Sequence, residues 1–413
     1  MMDSNTRADC ENSYIPCRGR QRNSWHVGSK IFFVACMVAI FCTIFSRALF
    51  GQERKDQGEF SPYVGDSPSV AMPHANDISD ALTHEAIAAA LRKVADWQIK
   101  RAQSHFDRDW TFAVLYAGFM AVPDEAGGEK YRAAMKTMGK SFHWELGPDK
   151  SDANDLAIGQ TYLALYKRYK DPNMLLPTQR QMDQLLQQSG TAGRPLWWWC
   201  DALFMAPPTL AELSEVTKRD SYLDYMNRQW WRTSAALYDQ KHHLFFRDAR
   251  FLSKHDVNGQ PIFWSRGNGW VMAGLVRVLK TMPKNYPSRP RYIAQFRQMA
   301  ADLIAVQRSD GLWSSDLLDS TVYKSAETSG TSLITYALAY GIKVGILDRR
   351  QYEPHVRKAW SGLVSHIYMD GRLGAIQPVD DSPGRFRPTS SYVYGVGAFL
   401  LAGSEIYRLT AAP

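Results

Sequence analysis

The amino-acid sequence predicts an all-α protein, and three observations predict it. From about residue 80 to the end, apolar residues recur at helical spacing, with no long alternating strand and no glycine-rich phosphate loop after a strand. Twelve helical segments follow one another and alternate in character, a charged amphipathic one and then one rich in apolar and small residues. Each segment of the second kind is preceded by a cluster of polar and aromatic residues. Six helical hairpins arranged as a ring, an (α/α)6 barrel, account for all three. The second helix of each hairpin then faces inward, and the six clusters meet at one mouth, at the N-terminal ends of the inner helices. An open solenoid of hairpins would show the same alternation. It would not concentrate such chemistry at six helix starts.

The segments fall at 78–103, 111–122, 128–141, 155–169, 173–188, 202–217, 221–237, 270–281, 289–307, 331–345, 351–366 and 392–409. The odd-numbered ones carry their charges on one face, as solvent-facing helices do. Among the even-numbered ones, Gly159, Gly274, Gly341, Gly397 and Gly403 suit helices that approach others closely. Pro207-Pro208 is expected to break the sixth and leave Ala202 to Ala206 as a separate turn. The six clusters are Asp109-Trp110, Asn154-Asp155, Trp197 to Asp201, Trp264 to Trp270, Glu327 to Gly330 and Thr389 to Tyr392. Capping explains their Asp, Ser, Thr and Asn residues, because a helix start has unpaired backbone donors. It does not call for Trp, Arg or Glu.

The domain of residues 81–413 is preceded by two other kinds of sequence. Arg18, Arg20, Arg22 and Lys30 lead into an apolar run at 31–45 and then Ser46-Arg47-Ala48. That is the layout of a secretory signal, and residues 1–51 are read as a signal peptide or, if uncleaved, an N-terminal membrane anchor. The run is shorter than the ~20 residues of a usual membrane span. A periplasmic or secreted location follows, with membrane contact through this segment alone. Residues 52–80, rich in Gly, Pro, Ser and Asp, read as a flexible linker. Of the five Cys, Cys200 alone lies outside the leader, so an intramolecular disulfide in the mature chain is excluded.

With 45% apolar and 22% charged residues the composition is that of a globular protein. Thirteen Trp and twenty Tyr are a plentiful supply of rings for holding flat, hydroxyl-rich ligands such as sugars. The net charge of +8 falls to +5 once residues 1–51 are set aside, a mild excess that suits an anionic small substrate, and no basic run with interleaved aromatics points to nucleic acid. The histidines and Cys200 lack ligand spacing, so no metal is expected, and neither a Gly-x-Ser-x-Gly elbow nor a nucleotide fingerprint occurs.

Asp201 is the first catalytic candidate. It follows Trp197, Trp198 and Trp199, and shielding from water raises a carboxyl pKa toward the range of a general acid. It is also placed to cap the next helix, but a cap does not need three Trp. Asp155 is the second, with an N-cap role as its alternative. Two carboxylates across one pocket would push their pKa values apart. Arg266, Asn268 and Trp270 lie in a glycine-spaced loop that opens a helix. They offer a fork for a carboxylate and a stacking face, or, read blandly, a turn with a core Trp.

The block Trp197 to Pro208 resembles glycoside hydrolase family 105, the unsaturated rhamnogalacturonyl hydrolases, related to the unsaturated glucuronyl hydrolases of family 88. So do Asp155 to Tyr166, Phe263 to Trp270, Glu327 to Gly341 and Tyr394 to Glu405. The resemblance spans about residues 80 to 410. It implies the (α/α)6 barrel, Asp201 as the catalytic aspartate, Asp155 as the second carboxylate, and Trp199, Arg266 and Trp270 around the sugar. Where some members carry a substrate-facing His, Leu244-Phe245-Phe246 leads here to Arg247, which can still bind a carboxylate or hydroxyl. Trp110, Trp144 and Glu327 complete the candidate substrate contacts. No cofactor is expected.

The implied substrate is an anionic oligosaccharide that a polysaccharide lyase has left with a terminal 4,5-unsaturated uronate. Protonation of C4 in this vinyl ether makes C5 an oxocarbenium-like centre, water adds there, and the hemiketal opens and releases its partner. The partner sugar is open: rhamnose is the family default, with glycosaminoglycan, ulvan and arabinogalactan fragments as other sources. Other readings are an unsaturated β-glucuronyl hydrolase, a non-catalytic sugar-binding barrel, and an inverting glycosidase on saturated sugars with its two carboxyls ~6.5–9.5 Å apart. A sugar epimerase would need a His pair at the pocket, and none is evident.

Overall fold

In the computed structural model, which describes residues 63–188 and 194–411, every predicted segment is found as helix. Caps set several of the starts. Thr83 accepts the Ala86 N–H and opens α1 His84–Ala102, and Asp109 accepts the Thr111 N–H and opens α2 Trp110–Ala121. Then come α3 Gly128–Ser141, the single turn α4 Ala153–Leu156, α5 Gly159–Tyr169, α6 Leu176–Leu185, the short α7 Ala202–Met205 and α8 Pro207–Thr217. The chain continues with α9 Asp220–Leu237, α10 Ser265–Thr281, α11 Arg289–Ala305, α12 Thr328–Lys343, α13 Arg349–Val364 and α14 Val393–Thr410. As expected, the Pro pair ends one helix and begins another: Pro207 takes the first position of α8, where its missing N–H costs nothing.

The inner wall closes. α2 packs on α5, α5 on α8, α7 and α8 on α10, α10 on α12, α12 on α14, and α14 back on α2. This is a ring of six positions, not an open solenoid. α1, α3, α9, α11 and α13 lie outside it, each against an inner helix. Small residues allow the tight contacts. A Cβ at Gly118 of α2 would lie 2.6 Å from the Gly397 carbonyl oxygen on α14, so neither helix tolerates a side chain there. Among the described residues no helix is long and apolar enough to cross a membrane.

The helix starts gather at one end. Trp110 of α2 lies 5.3 Å from Tyr394 of α14 and 6.3 Å from Trp270 of α10, ring to ring. A Cβ on Gly330 of α12 would fall 2.9 Å from the Arg266 nitrogen of α10, and one on Gly267 would meet Cys200 beside α7 at 3.0 Å. The inner helices therefore start together at a common mouth.

Two boundaries differ from the sequence reading. The stretch Arg266 to Gly269 is the first turn of α10 and not a loop before it. Its glycines serve helix contacts, since a Cβ on Gly269 would come within 2.9 Å of Leu333. Residues 63–77, expected within the flexible linker, are strapped to the barrel. β1 Gly65–Asp66 pairs antiparallel with β4 Ser391–Tyr392, His74 bridges Tyr368, and Asp66 binds Arg101 and Arg372. Backbone pairing and ion pairs hold a strap without apolar periodicity, so the sequence pattern carried no sign of it. The leader at 1–51 and the linker up to residue 62 lie outside the described residues.

Candidate active site

The floor of the mouth is aromatic. Trp270 is 1% exposed, stands edge-on to Trp110 and lies 4.9 Å from Phe204 of α7, while Trp110 is half-buried.

Asp201 is at the start of α7, with its Oδ1 3.6 Å from where a Cβ on Gly267 of α10 would lie. Its backbone is helical and its side chain makes no capping hydrogen bond, so a cap is not its role. It is 7% exposed, and its Oδ2 accepts from Arg247 Nε at 3.0 Å. Burial raises the Asp201 pKa, against the pull of the Arg247 and Arg266 guanidinium groups. Arg247 comes from the segment after β3 Leu244–Phe245, which pairs with β2 Tyr238–Asp239. The Cys200 N–H donates to the Arg247 carbonyl at 2.8 Å and Trp199 bridges Asp248, so both sides of the pair are locked together. Arg247 also donates to Asp248 Oδ2 at 2.9 Å. Burial works against its charge, but Asp201 and Asp248 outweigh burial and raise its pKa. Asp248 sits below the usual range: burial lifts it, and hydrogen bonds from Arg250 and Arg247 more than offset that.

Asp155 lies in α4, which packs against α7, the helix that Asp201 begins. Asp152 caps that turn, and Asp155 Oδ2 accepts the Asp149 N–H at 2.6 Å. Burial raises the Asp155 pKa, the Asp149 N–H and Arg108 oppose it, and the carboxylates of Asp149 and Asp109 add to it. Both candidate acids are thus shifted upward, each by its own burial and its own neighbours.

Three residues expected to touch substrate are engaged in the scaffold instead. Asn268 Oδ1 accepts the Phe245 N–H at 2.8 Å, and its Nδ2 donates to the Phe245 and Trp264 carbonyls at 3.1 Å. Fully buried, it pins β3 and hence Arg247. Glu327 is the N-cap of α12. Its carboxylate accepts from Ser329 N at 3.0 Å, Gly330 N at 2.5 Å and Gln377 N at 3.1 Å, and it is 0% exposed. Arg266 donates to the carbonyls of Gln377 at 2.7 Å and Pro378 at 2.8 Å and is 1% exposed, between the rings of Trp264 and Tyr394. Its charge reaches Asp201, and its two terminal nitrogens are taken up by carbonyls while its buried Nε has no partner among the described residues. Trp144 packs against Gly139 and edge-on to Tyr162, in the wall between α3 and α5.

The structure also adds residues that sequence reasoning did not single out. Asp248 balances Arg247. Gln377 ties the mouth together, taking hydrogen bonds from Trp264 Nε1 at 2.9 Å and Ser315 Oγ at 2.8 Å on its side chain, and from Arg266 and Tyr394 on its carbonyl. Its sequence surroundings give no signal of that part. Among the described residues no group of His, Cys, Asp and Glu is disposed to hold a metal ion.

A six-hairpin barrel with a buried, arginine-paired carboxyl group in an aromatic mouth is the architecture of a glycoside hydrolase. The family model described as Glycosyl Hydrolase Family 88 matches residues 84–410, and the chain belongs to that family. It is 37% identical over 349 residues to a Formosa agariphila protein named Unsaturated 3S-rhamnoglycuronyl hydrolase, covering 79% of this chain and 92% of that one. A solved family 88 structure from Bacteroides vulgatus superposes with a TM-score of 0.75 at 30% identity, over 79% of this chain and 99% of the other. A possible family 105 member from Salmonella enterica shares the fold, with a TM-score of 0.67 at 20% identity, over 83% of this chain and 97% of that one.

Proposed function

We propose that this enzyme removes the terminal 4,5-unsaturated uronate from lyase-made oligosaccharides in which that uronate is attached to rhamnose, by hydrating the C4=C5 vinyl ether. The observation that carries the reading is the buried Asp201–Arg247 pair, a carboxyl group raised by burial and hydrogen-bonded to a guanidinium. The name of the Formosa agariphila relative supports rhamnose as the leaving sugar.

The pair is suited to this substrate. Arg247 is the guanidinium assigned to the uronate carboxylate, because its side chain keeps 14% exposure while Arg266 is 1% exposed with its two terminal nitrogens on carbonyls. When the uronate carboxylate binds Arg247, Asp201 loses part of its counter-charge and gains an anionic neighbour. Both changes raise its pKa further, so it becomes protonated as the substrate arrives. Protonated Asp201 donates to C4, positive charge develops at C5, and the resulting carboxylate takes a proton from the water that adds there. Opening of the hemiketal frees the leaving sugar. Asp155, on the turn packed against α7, holds the water with its remaining carboxylate oxygen. Trp199 and Trp270 line the unsaturated ring. We place the enzyme in the periplasm or outside the cell, on the pattern of its leader.

Asp201→Asn keeps the shape and removes the acid. Loss of the ultraviolet band of an unsaturated uronyl-rhamnose disaccharide is expected to slow by ~100-fold or more. Turnover within a few-fold of the parent enzyme rules out this assignment.

A further inference from the structure

Arg108 lies between Asp107 and Asp109, in the segment before α2 and two residues ahead of Trp110 in the mouth. Its Nη1 donates to the Leu146 carbonyl at 2.8 Å, and among the described residues it enters no ion pair. Leu146 belongs to the loop 145–149, which follows a left-handed turn at His143 and Trp144, with φ of 52° and 59°. Non-glycine residues rarely adopt that conformation, so the course of the chain here is held by its contacts.

The contacts of this loop converge on Asp155. The Gly147 N–H donates to the Asp155 carbonyl at 2.9 Å, and the Asp149 N–H donates to Asp155 Oδ2 at 2.6 Å. A Cβ on Gly147 would lie 2.3 Å from Asp155 Cγ, so glycine is what lets the loop close over the carboxyl group. Arg108 therefore fastens, one residue away, the segment that grips Asp155. Its charge acts on the same group. Burial favours the protonated form of Asp155, and the carboxylates of Asp149 on the loop and Asp109 at the α2 cap add to burial. The Asp149 N–H and the Arg108 guanidinium favour the carboxylate. The other packed element, α7, carries Asp201, which Arg247 already balances.

We propose that Arg108 is a positioning residue for Asp155: it fastens the loop that grips the carboxyl group and supplies the positive charge that keeps it an anion while Asp201 serves as the acid. This rests on the reaction proposed above, in which Asp155 holds the water that adds to C5. Arg108 acts through Asp155 and takes no part in proton transfer. The reaction needs opposite protonation of the two carboxyl groups at one pH, although burial raises both. Arg247 turns to the uronate when substrate binds, so Asp155 needs a cation of its own.

The test is a pH–rate series on the unsaturated uronyl-rhamnose disaccharide, using the full chain and its variants. Arg108→Gln keeps a donor for the Leu146 carbonyl and removes the charge. Loss of the cation raises the Asp155 pKa, and a group that must be ionised then needs a higher pH. The acidic limb of kcat/KM is therefore expected to move up by ~0.5 unit or more, while the alkaline limb, set by Asp201, stays. Arg108→Lys restores the charge and is expected to bring the acidic limb back toward the parent position. Asp155→Asn is expected to remove that limb. A role confined to folding would lower the rate at every pH and move neither limb. An acidic limb unmoved in Arg108→Gln, both limbs moving together, or Arg108→Lys no closer to the parent than Arg108→Gln overturns the assignment. A limb that survives in Asp155→Asn overturns it as well, because the limb then belongs to another group. Near-parent turnover by Asp201→Asn is the separate result that overturns the reaction itself.

Discussion

At the scale of single residues, Arg247 decides how Asp201 titrates. Burial raises the acid and Arg247 lowers it, with Arg266 adding to that pull, so removing Arg247 leaves burial opposed by Arg266 alone among the arginines. The acid must be protonated to work, and activity falls as pH rises through its pKa. Arg247→Met is therefore expected to move the alkaline limb of the kcat/KM profile to higher pH while raising KM, in a pH–rate series on the unsaturated disaccharide. A limb that stays put or moves to lower pH contradicts the pairing. The shielding of Asp201 was legible in the sequence because residue type and company speak together: three Trp beside an Asp have few uses. Asn268, Glu327 and Arg266 were legible as special but not as to purpose. A polar side chain at a helix start can face a ligand or bond the backbone, and only the positions of Phe245, Ser329 and Gln377 show that these three do the latter. Gln377 was not legible at all, because its bonds reach residues 62 and more than 100 positions away in the chain.

Among the elements, the β2–β3 hairpin is the one that aims Arg247, and Asn268 is its clamp. Asn268→Ala leaves a buried N–H and a carbonyl of Phe245 without their side-chain partner. Each unmet group costs about 1–3 kcal/mol, so a loss of a few kcal/mol is expected in denaturant unfolding, together with a rise in KM as Arg247 loosens. A variant of unchanged stability would show that the clamp is unimportant. The hairpin was missed in the sequence because its strands are two residues each, too short for a period to register. The strap at 63–77 was missed for a related reason, since pairing through the backbone leaves no trace in side-chain polarity. The twelve long helices were read with boundaries near the observed ones because 3.6-residue periodicity accumulates over ten or more positions.

For the molecule as a whole, the ring matters because it brings distant segments to one mouth: α2 and α14 come from opposite ends of the barrel sequence and meet at Gly118 and Gly397. Gly118→Val puts a Cβ and two methyl groups where the facing backbone already stands and is expected to cost about 1–3 kcal/mol, measured as a lower midpoint of thermal unfolding, with activity falling in parallel. Preserved stability would mean that the seam between first and last inner helices is looser than described. The closed ring was legible before the contacts were known, since six polar–aromatic clusters need one place to meet. What the closed ring is for rests on a chemical claim: a water-shielded carboxyl group gives its proton to carbon. The most direct measurement is nuclear magnetic resonance of the sugar released in deuterium oxide, sampled at the earliest turnovers. A single deuterium on one face of C4, beside the original vinylic proton, is the predicted result, and two protons at C4 with no deuterium, or deuterium distributed over both faces from the start, would contradict it.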